Sequence, residues 1–165
     1  MSRYYEKKFF EKLMTLEGDK LTNTANDNGG LTHFGLTQKD NPTIDVIHIT
    51  PQQANDYYYK EYYQRYKIET IENDILAFQI FQLYVNFSPS TATRILQKAI
   101  NSLCGEKIDE DGLFGEKTLS RLNNERLIQK IMFEQIRQYS KRVKEQPNQI
   151  DFLVGWVNRA ILSTI

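Results

Sequence analysis

Glu17, Asp27 and Thr32 are the side chains whose types and spacing suit chemistry. A carboxyl group, a second carboxylate and a hydroxyl on one short stretch of chain form the set that cleaves an acetal. One carboxylic acid protonates the leaving oxygen, while a second polar group holds the attacking water or the developing positive charge. Glu17 follows Leu13 and Phe9 at helical spacing and so projects from the apolar face of an amphipathic helix. It also falls at the C-terminus of that helix, where the dipole is negative. Partial burial and the dipole both disfavour a carboxylate and favour the protonated acid. In Asp27-Asn28-Gly29-Gly30-Leu31-Thr32 the glycines permit a tight turn, and Gly30 allows close approach of a ligand to the backbone. His33 comes next and is placed to line the same cleft. Each piece alone has an ordinary reading as well: a glutamate at a helix end, and an aspartate bonding locally in a turn.

The elements that must position these groups are mostly helical. Residues 3–17 form an apolar stripe of Tyr5, Phe9, Leu13 and Leu16, widened by Phe10 and Met14, with Gly18 as C-cap. Residues 18–37, rich in Asn, Asp, Thr and Gly, predict a loop or short hairpin. Thr50-Pro51-Gln52-Gln53 predicts a capped helix start, with the helix running to about Tyr66. Further helices are expected over 74–85, from Ser88-Pro89 to about Cys104, and over 116–124, 125–145 and 149–163. The fold class is mainly α, with a short loop or hairpin after the first helix. Residues 1–70 are expected to form a catalytic region and 71–165 a second helical region packed on it.

Six tyrosines, at positions 57, 58, 59, 62, 63 and 66, fall on one expected helix. Aromatic faces and phenol hydroxyls suit sugars, although most of such a set serves packing. Tyr58, Tyr62 and Tyr66 share one helical face, with Tyr59 and Tyr63 beside it. The two histidines, His33 and His48, have no ligand cluster around them, so no metal site is expected. Asp109-Glu110-Asp111-Gly112 starts like a calcium loop, but Lys107 and Thr118 fall where carboxylates belong, which leaves a turn. Asn86 and Gln97 read as buried ties between helices or as ligand contacts. Trp156 reads as a core anchor for the last helix, with Arg159 paired to a carboxylate.

Bulk composition excludes several classes. With 40% hydrophobic and 25% charged residues the chain can bury a core. Its 21 basic and 21 acidic residues argue against a nucleic-acid binder. The single cysteine, Cys104, cannot make an internal disulfide. No apolar run approaches the roughly 20 residues of a membrane span, and the charges within residues 6–12 interrupt any signal-peptide core. No Ser–His–Asp elbow, phosphate-binding glycine loop or dinucleotide fingerprint is present.

Leu16-Glu17-Gly18 followed by Asp27-Asn28-Gly29-Gly30-Leu31-Thr32-His33-Phe34-Gly35-Leu36-Thr37 resembles the signature of family 108 glycoside hydrolases, E-G-G then D-x-G-G-x-T-x-x-G-I-T. The resemblance continues in order along the chain. Tyr62-Tyr63 sits at the family's Tyr-Trp, Phe81–Pro89 at F-D-x-x-x-N-x-G-P and Leu96–Ala99 at L-Q-x-A. Asp111–Leu119 follows D-G-x-x-G-x-x-T-L, and Gly155–Arg159 follows G-W-x-N-R. Gln82 stands where the pattern has Asp, and Asp19 where it has a second Gly. The resemblance implies a lysozyme-like catalytic region followed by a peptidoglycan-binding region. It implies an N-acetylmuramidase with Glu17 as catalytic acid, raises Asp27 and Thr32 beside it, and favours Tyr62 or Tyr63 as a substrate contact; Gly30, His33 and Asn86 are candidate contacts read from the residues themselves. No cofactor is expected. The expected partner is the glycan strand of bacterial peptidoglycan, met by a monomer that reaches the wall by holin-type release in phage lysis, secretion or wall remodelling. A non-catalytic peptidoglycan-binding protein and a lytic transglycosylase stay open as alternatives.

Overall fold

A computed structural model describes residues 8–18, 20–23 and 31–164. The chain is mainly α and divides into two compact units, residues 1–65 and 66–165.

In the first unit, α1 (Phe10–Glu17) buries Leu13 completely and is preceded by Phe9, which is 2% exposed. The helix stops because Gly18 takes φ +85°, and its N–H closes back on Met14 O at 2.9 Å. The part of this helix expected before residue 8 lies outside the described residues. The polar stretch that follows forms a three-stranded antiparallel sheet, β1 (Thr22–Asn23), β2 (Leu31–His33) and β3 (Leu36–Thr37). Its register pairs Thr22 with Thr32 and Thr32 with Thr37. The β2–β3 loop is Phe34-Gly35, with φ +50° and +76°. Positive φ at both central residues matches the twist of a two-residue hairpin. α2 (Pro51–Tyr58) starts with the expected capping box: Gln53 N donates to Thr50 Oγ1 at 3.2 Å, and Thr50 N donates to Gln53 Oε1 at 2.8 Å.

The sequence predicts that α2 continues regularly to Tyr66, and here the structure differs. Residues Tyr59–Gln64 form a wide π-helical turn, and Lys67 takes φ +50°, ending the helix. Tyr66 therefore leaves the face it was expected to share with Tyr58 and Tyr62. It belongs to the second unit, where its ring stacks on Tyr84 with centroids 3.5 Å apart.

The second unit is built on α3 (Asp74–Asn86), in which every residue from Leu76 to Tyr84 is buried. A helix buried on every side has to be enclosed by others. α4 (Pro89–Leu103) opens at Ser88 with Pro89 in its first turn, as expected. α5 (Glu116–Leu119) is shorter than the expected 116–124. Beyond it, Glu72 N donates to Asn123 Oδ1 at 3.1 Å and Arg126 N to Asn124 Oδ1 at 3.1 Å. α6 (Leu127–Glu145) packs on α3, α4 and α7 (Ile150–Leu162).

Two α4 side chains hold the loop before α5. The N–H of Gly112 donates to Gln97 Oε1 at 2.9 Å, and Gln97 Nε2 donates to Asp111 Oδ1 at 2.8 Å. Ile108 N donates to Asn101 Oδ1, and Asn101 Nδ2 donates back to Ile108 O, both at 2.9 Å. Gln97 is thus the buried tie that one of its two readings predicted. Trp156 is not the core anchor expected of it. It is half-buried in a stack with Tyr139 and Phe152, at 5.3 and 6.0 Å, with the Arg142 guanidinium 4.9 Å from its ring.

Candidate active site

The local chain path explains where Glu17 falls. α1 ends at Glu17 because Gly18 alone among its neighbours accepts the positive φ that turns the backbone away. Thr22, five residues on, already pairs with Thr32, and five residues span at most about 18 Å. The helix end and the threonine of β2 are therefore tied to one neighbourhood by chain length. The segment between β1 and β2, residues 24–30, carries Asp27 at its middle and Gly30 at its end. Both lie outside the described residues, as does the side chain of Glu17.

Side chains directly opposite one another in a sheet share a face, and neighbours along a strand alternate. Thr22, Thr32 and Thr37 accordingly form one row of hydroxyls across the sheet. His33 and Leu36 occupy the other face, where Leu36 is 3% exposed. Thr32 and His33, as neighbours along one strand, thus face opposite sides of the sheet. His33 stacks on Phe34 with ring centroids 4.1 Å apart, and its Nδ1 lies 3.1 Å from Val46 O. A carbonyl only accepts, so the hydrogen sits on Nδ1.

The tyrosines brace this sheet and α1. Tyr58, 1% exposed, donates its hydroxyl to Phe34 O at 2.9 Å. Phe10 lies against Tyr58, and Phe9 meets Tyr63 edge-on with centroids 5.5 Å apart. Tyr63 is only 4% exposed. Of the two tyrosines expected to touch glycan, Tyr62 is the half-buried one, packed beside Tyr57 and Tyr58. The wide π-helical turn sets this difference between consecutive residues.

The loop after the hairpin is held by Gln38, which donates to Asn41 O and Ile44 O and accepts from Val46 N. Tyr57 donates to Asn41 Oδ1 at 2.6 Å, and burial raises the Tyr57 pKa. A concavity of about 500 Å³ lies along this loop and α2, lined in part by Asp45, His48, Gln53 and Tyr57. The sequence reading did not anticipate its exposed Asp45–His48 pair, with Nδ1 and Oδ2 2.9 Å apart. That hydrogen bond holds the Asp45 carboxyl below the usual carboxylate range. An aspartate three residues before a histidine was the available signal.

Asn86 belongs to the second unit. Its Nδ2 donates to Gln82 O at 2.9 Å, and its Oδ1 accepts a long 3.5 Å bond from Arg159. It is half-buried and connects α3 to α7 through this contact. The described residues contain no group of three side chains able to hold a metal, and no described helix is long and apolar enough to cross a membrane.

Comparison with known proteins adds to this geometry. Residues 10–87 match the family model described as Glycosyl hydrolase 108, and residues 91–161 match the one described as Predicted Peptidoglycan domain. A solved structure of Brucella abortus SagA superimposes with a TM-score of 0.78 at 19% identity, covering 99% of this chain and 93% of that one. No curated protein matches the chain. The first family match runs through α3, whereas the compact units divide at residues 65 and 66. The limits of the family model and those of the compact units are thus different divisions of the chain.

Proposed function

We propose that this chain, whose residues 10–87 match the family model described as Glycosyl hydrolase 108 and whose residues 91–161 match the one described as Predicted Peptidoglycan domain, is an N-acetylmuramidase with Glu17 as its catalytic acid. The observation that carries this reading is the abrupt end of α1 at Glu17, within five residues of a strand whose register lines up Thr22, Thr32 and Thr37.

In the proposed reaction, Glu17 gives its proton to the oxygen between N-acetylmuramic acid and N-acetylglucosamine. The bond from that oxygen to the muramic-acid anomeric carbon breaks, and an oxocarbenium-like state develops. Asp27 or Thr32 orients the water that attacks this carbon or stabilises its charge, and the water's surplus proton returns to the catalytic acid. The hydroxyl row on the Thr32 face supplies donors and acceptors for sugar hydroxyls, with Tyr62 as the aromatic contact. The wall is where the enzyme acts in this reading, and a holin-type pore in phage lysis or wall remodelling is the route we propose to it.

The test is clearance of purified Gram-negative sacculi by the wild type and by Glu17→Gln, with mass spectrometry of the soluble products. Removing the acid is expected to slow clearance by about 10²–10⁴-fold and wild-type products are expected to carry reducing muramic-acid ends. Near-normal clearance by Glu17→Gln would overturn the assignment of the acid. Anhydromuramic ends would reassign the reaction to lytic transglycosylation.

A further inference from the structure

The second unit has a groove of about 840 Å³ whose walls come mainly from α4 and α6. Its walls carry Arg94, Lys98, Lys107, Arg137 and Lys141. The acidic side chains there are Glu110 and Glu134, and Glu134 is neutralised by Arg137 at 2.7 Å. The chain as a whole has no net charge, so this excess of cations is segregated charge, which focuses a positive potential in a concave surface.

The cations are set out in order. Arg94 and Lys98 lie one helical turn apart on α4, as Arg137 and Lys141 do on α6. Such pairs are neighbours about 5–6 Å apart at Cβ. Arg94 is oriented by the uncharged oxygens of Ser90 Oγ at 2.8 Å and Asp111 O at 3.1 Å, and the exposed Asp111 carboxylate is near enough to feel its charge. Lys107 is held by the Asn101 carbonyl. Lys98 makes no ion pair among the described residues, and Lys141 has only the exposed Glu145 at 3.7 Å.

We infer that this groove binds the carboxylate-bearing peptide stems of peptidoglycan. The inference rests on the reading of the chain as a peptidoglycan hydrolase and deepens it. Every groove-lining residue falls within residues 91–161, the span that matches the peptidoglycan domain. Two classes of group are available in that polymer. The N-acetylhexosamine rings are best held by aromatic platforms, and the groove walls have no aromatic ring among the described residues. The peptide stems carry free carboxylates, which two rails of cations complement. The volume lies within the range of ordinary ligand sites. The second unit would then grip the stems, while the first unit cleaves the glycan that bears them.

The test uses the full chain with Glu17→Gln, so that the wall is not consumed, and two solids: intact sacculi, and sacculi stripped of their stems by an amidase. Binding to intact sacculi is expected to be about tenfold or more the tighter and to weaken with salt. Adding Lys98→Glu and Lys141→Glu is expected to abolish the difference between the solids. With Glu17 restored, the parent chain is expected to cleave both solids. Equal binding of the parent to both solids would overturn the inference, as would undiminished binding of intact sacculi by the reversed chain. Failure of the muramidase reading would look different: no chain would cleave either solid, while the binding comparison would still be readable. If the reversed chain fails to show the parent's thermal unfolding, Lys98→Gln and Lys141→Gln replace it, and each must flatten the salt dependence for the inference to stand.

Discussion

The Tyr58 hydroxyl donates to the carbonyl of Phe34 at 2.9 Å, across 24 residues of chain. Phe34 is a non-glycine residue at φ +50° in the tight turn between β2 and β3, a conformation that costs of order 1 kcal/mol or more unless its surroundings impose it. The buried Tyr58 ring lies against Phe10 of α1 and holds the turn at its other end. One side chain thus joins the helix that ends at Glu17 to the hairpin that carries Thr32.

Removing that hydroxyl while keeping the ring tests the tie. Tyr58→Phe is expected to leave the Phe34 carbonyl without its donor and to destabilise the protein by about 1–3 kcal/mol. Thermal unfolding followed by circular dichroism measures this, and an unchanged melting temperature would show that the bond does not matter. Glycan cleavage assayed well below the transition is expected to fall too, since the hairpin loses its anchor.

Gly112 tests the second unit. It takes φ +77°, and a Cβ there would lie 2.5 Å from Ser90 Oγ and 2.8 Å from Ser90 O. The serine hydroxyl can rotate away, but the backbone carbonyl cannot. Gly112→Ala is expected to cost about 1–3 kcal/mol and to loosen the bond from the Gly112 N–H to Gln97. Hydrogen exchange at Gly112, read by nuclear magnetic resonance, should speed up in the variant.

Gln82 stands where the resembled family pattern has Asp, and it is 0% exposed. Among the described residues neither its Nε2 nor its Oε1 has a hydrogen-bond partner. Burying an unsatisfied amide costs about 1–3 kcal/mol, and methionine fills a similar volume without that cost. Gln82→Met is therefore expected to raise the unfolding free energy by about 1 kcal/mol. A destabilised variant in denaturant titration would show that the amide is satisfied after all.

Tyr84 sets an alkaline limit. Burial raises its pKa well above the usual value near 10, partly offset by its hydrogen bond with Thr93. A group that holds its proton more tightly when folded contributes stability that is complete below the unfolded pKa and lost as pH rises beyond it. Unfolding free energy is expected to fall as pH climbs above about 10. Tyr84→Phe, which cannot ionise, is expected to show a shallower decline in denaturant titrations at stepped pH. Equal slopes for the two proteins would remove Tyr84 as the cause.

Much of this molecule follows from local rules. The capping box at Thr50, the Ser88-Pro89 start of α4 and the glycine stop after Glu17 each depend on a few neighbouring residues, so the sequence displays them directly. The mainly helical class follows from apolar periodicity in the same way, and the ordered run of motifs carries the resemblance that the family models match over residues 10–87 and 91–161. Tertiary structure decided matters that depend on distant partners. The π-helical turn and the left-handed Lys67 separate Tyr66 from Tyr62, a register that no local periodicity encodes. Thr32 and His33 fall on opposite faces because strand pairing, not sequence adjacency, aims side chains. Tyr63 is buried because Phe9, over fifty residues away, meets its ring, and the cations of α4 and α6 share a groove only once the two helices pack. Residue type and spacing thus determine which chemistry is available, while packing between distant segments decides which side chains can reach a ligand.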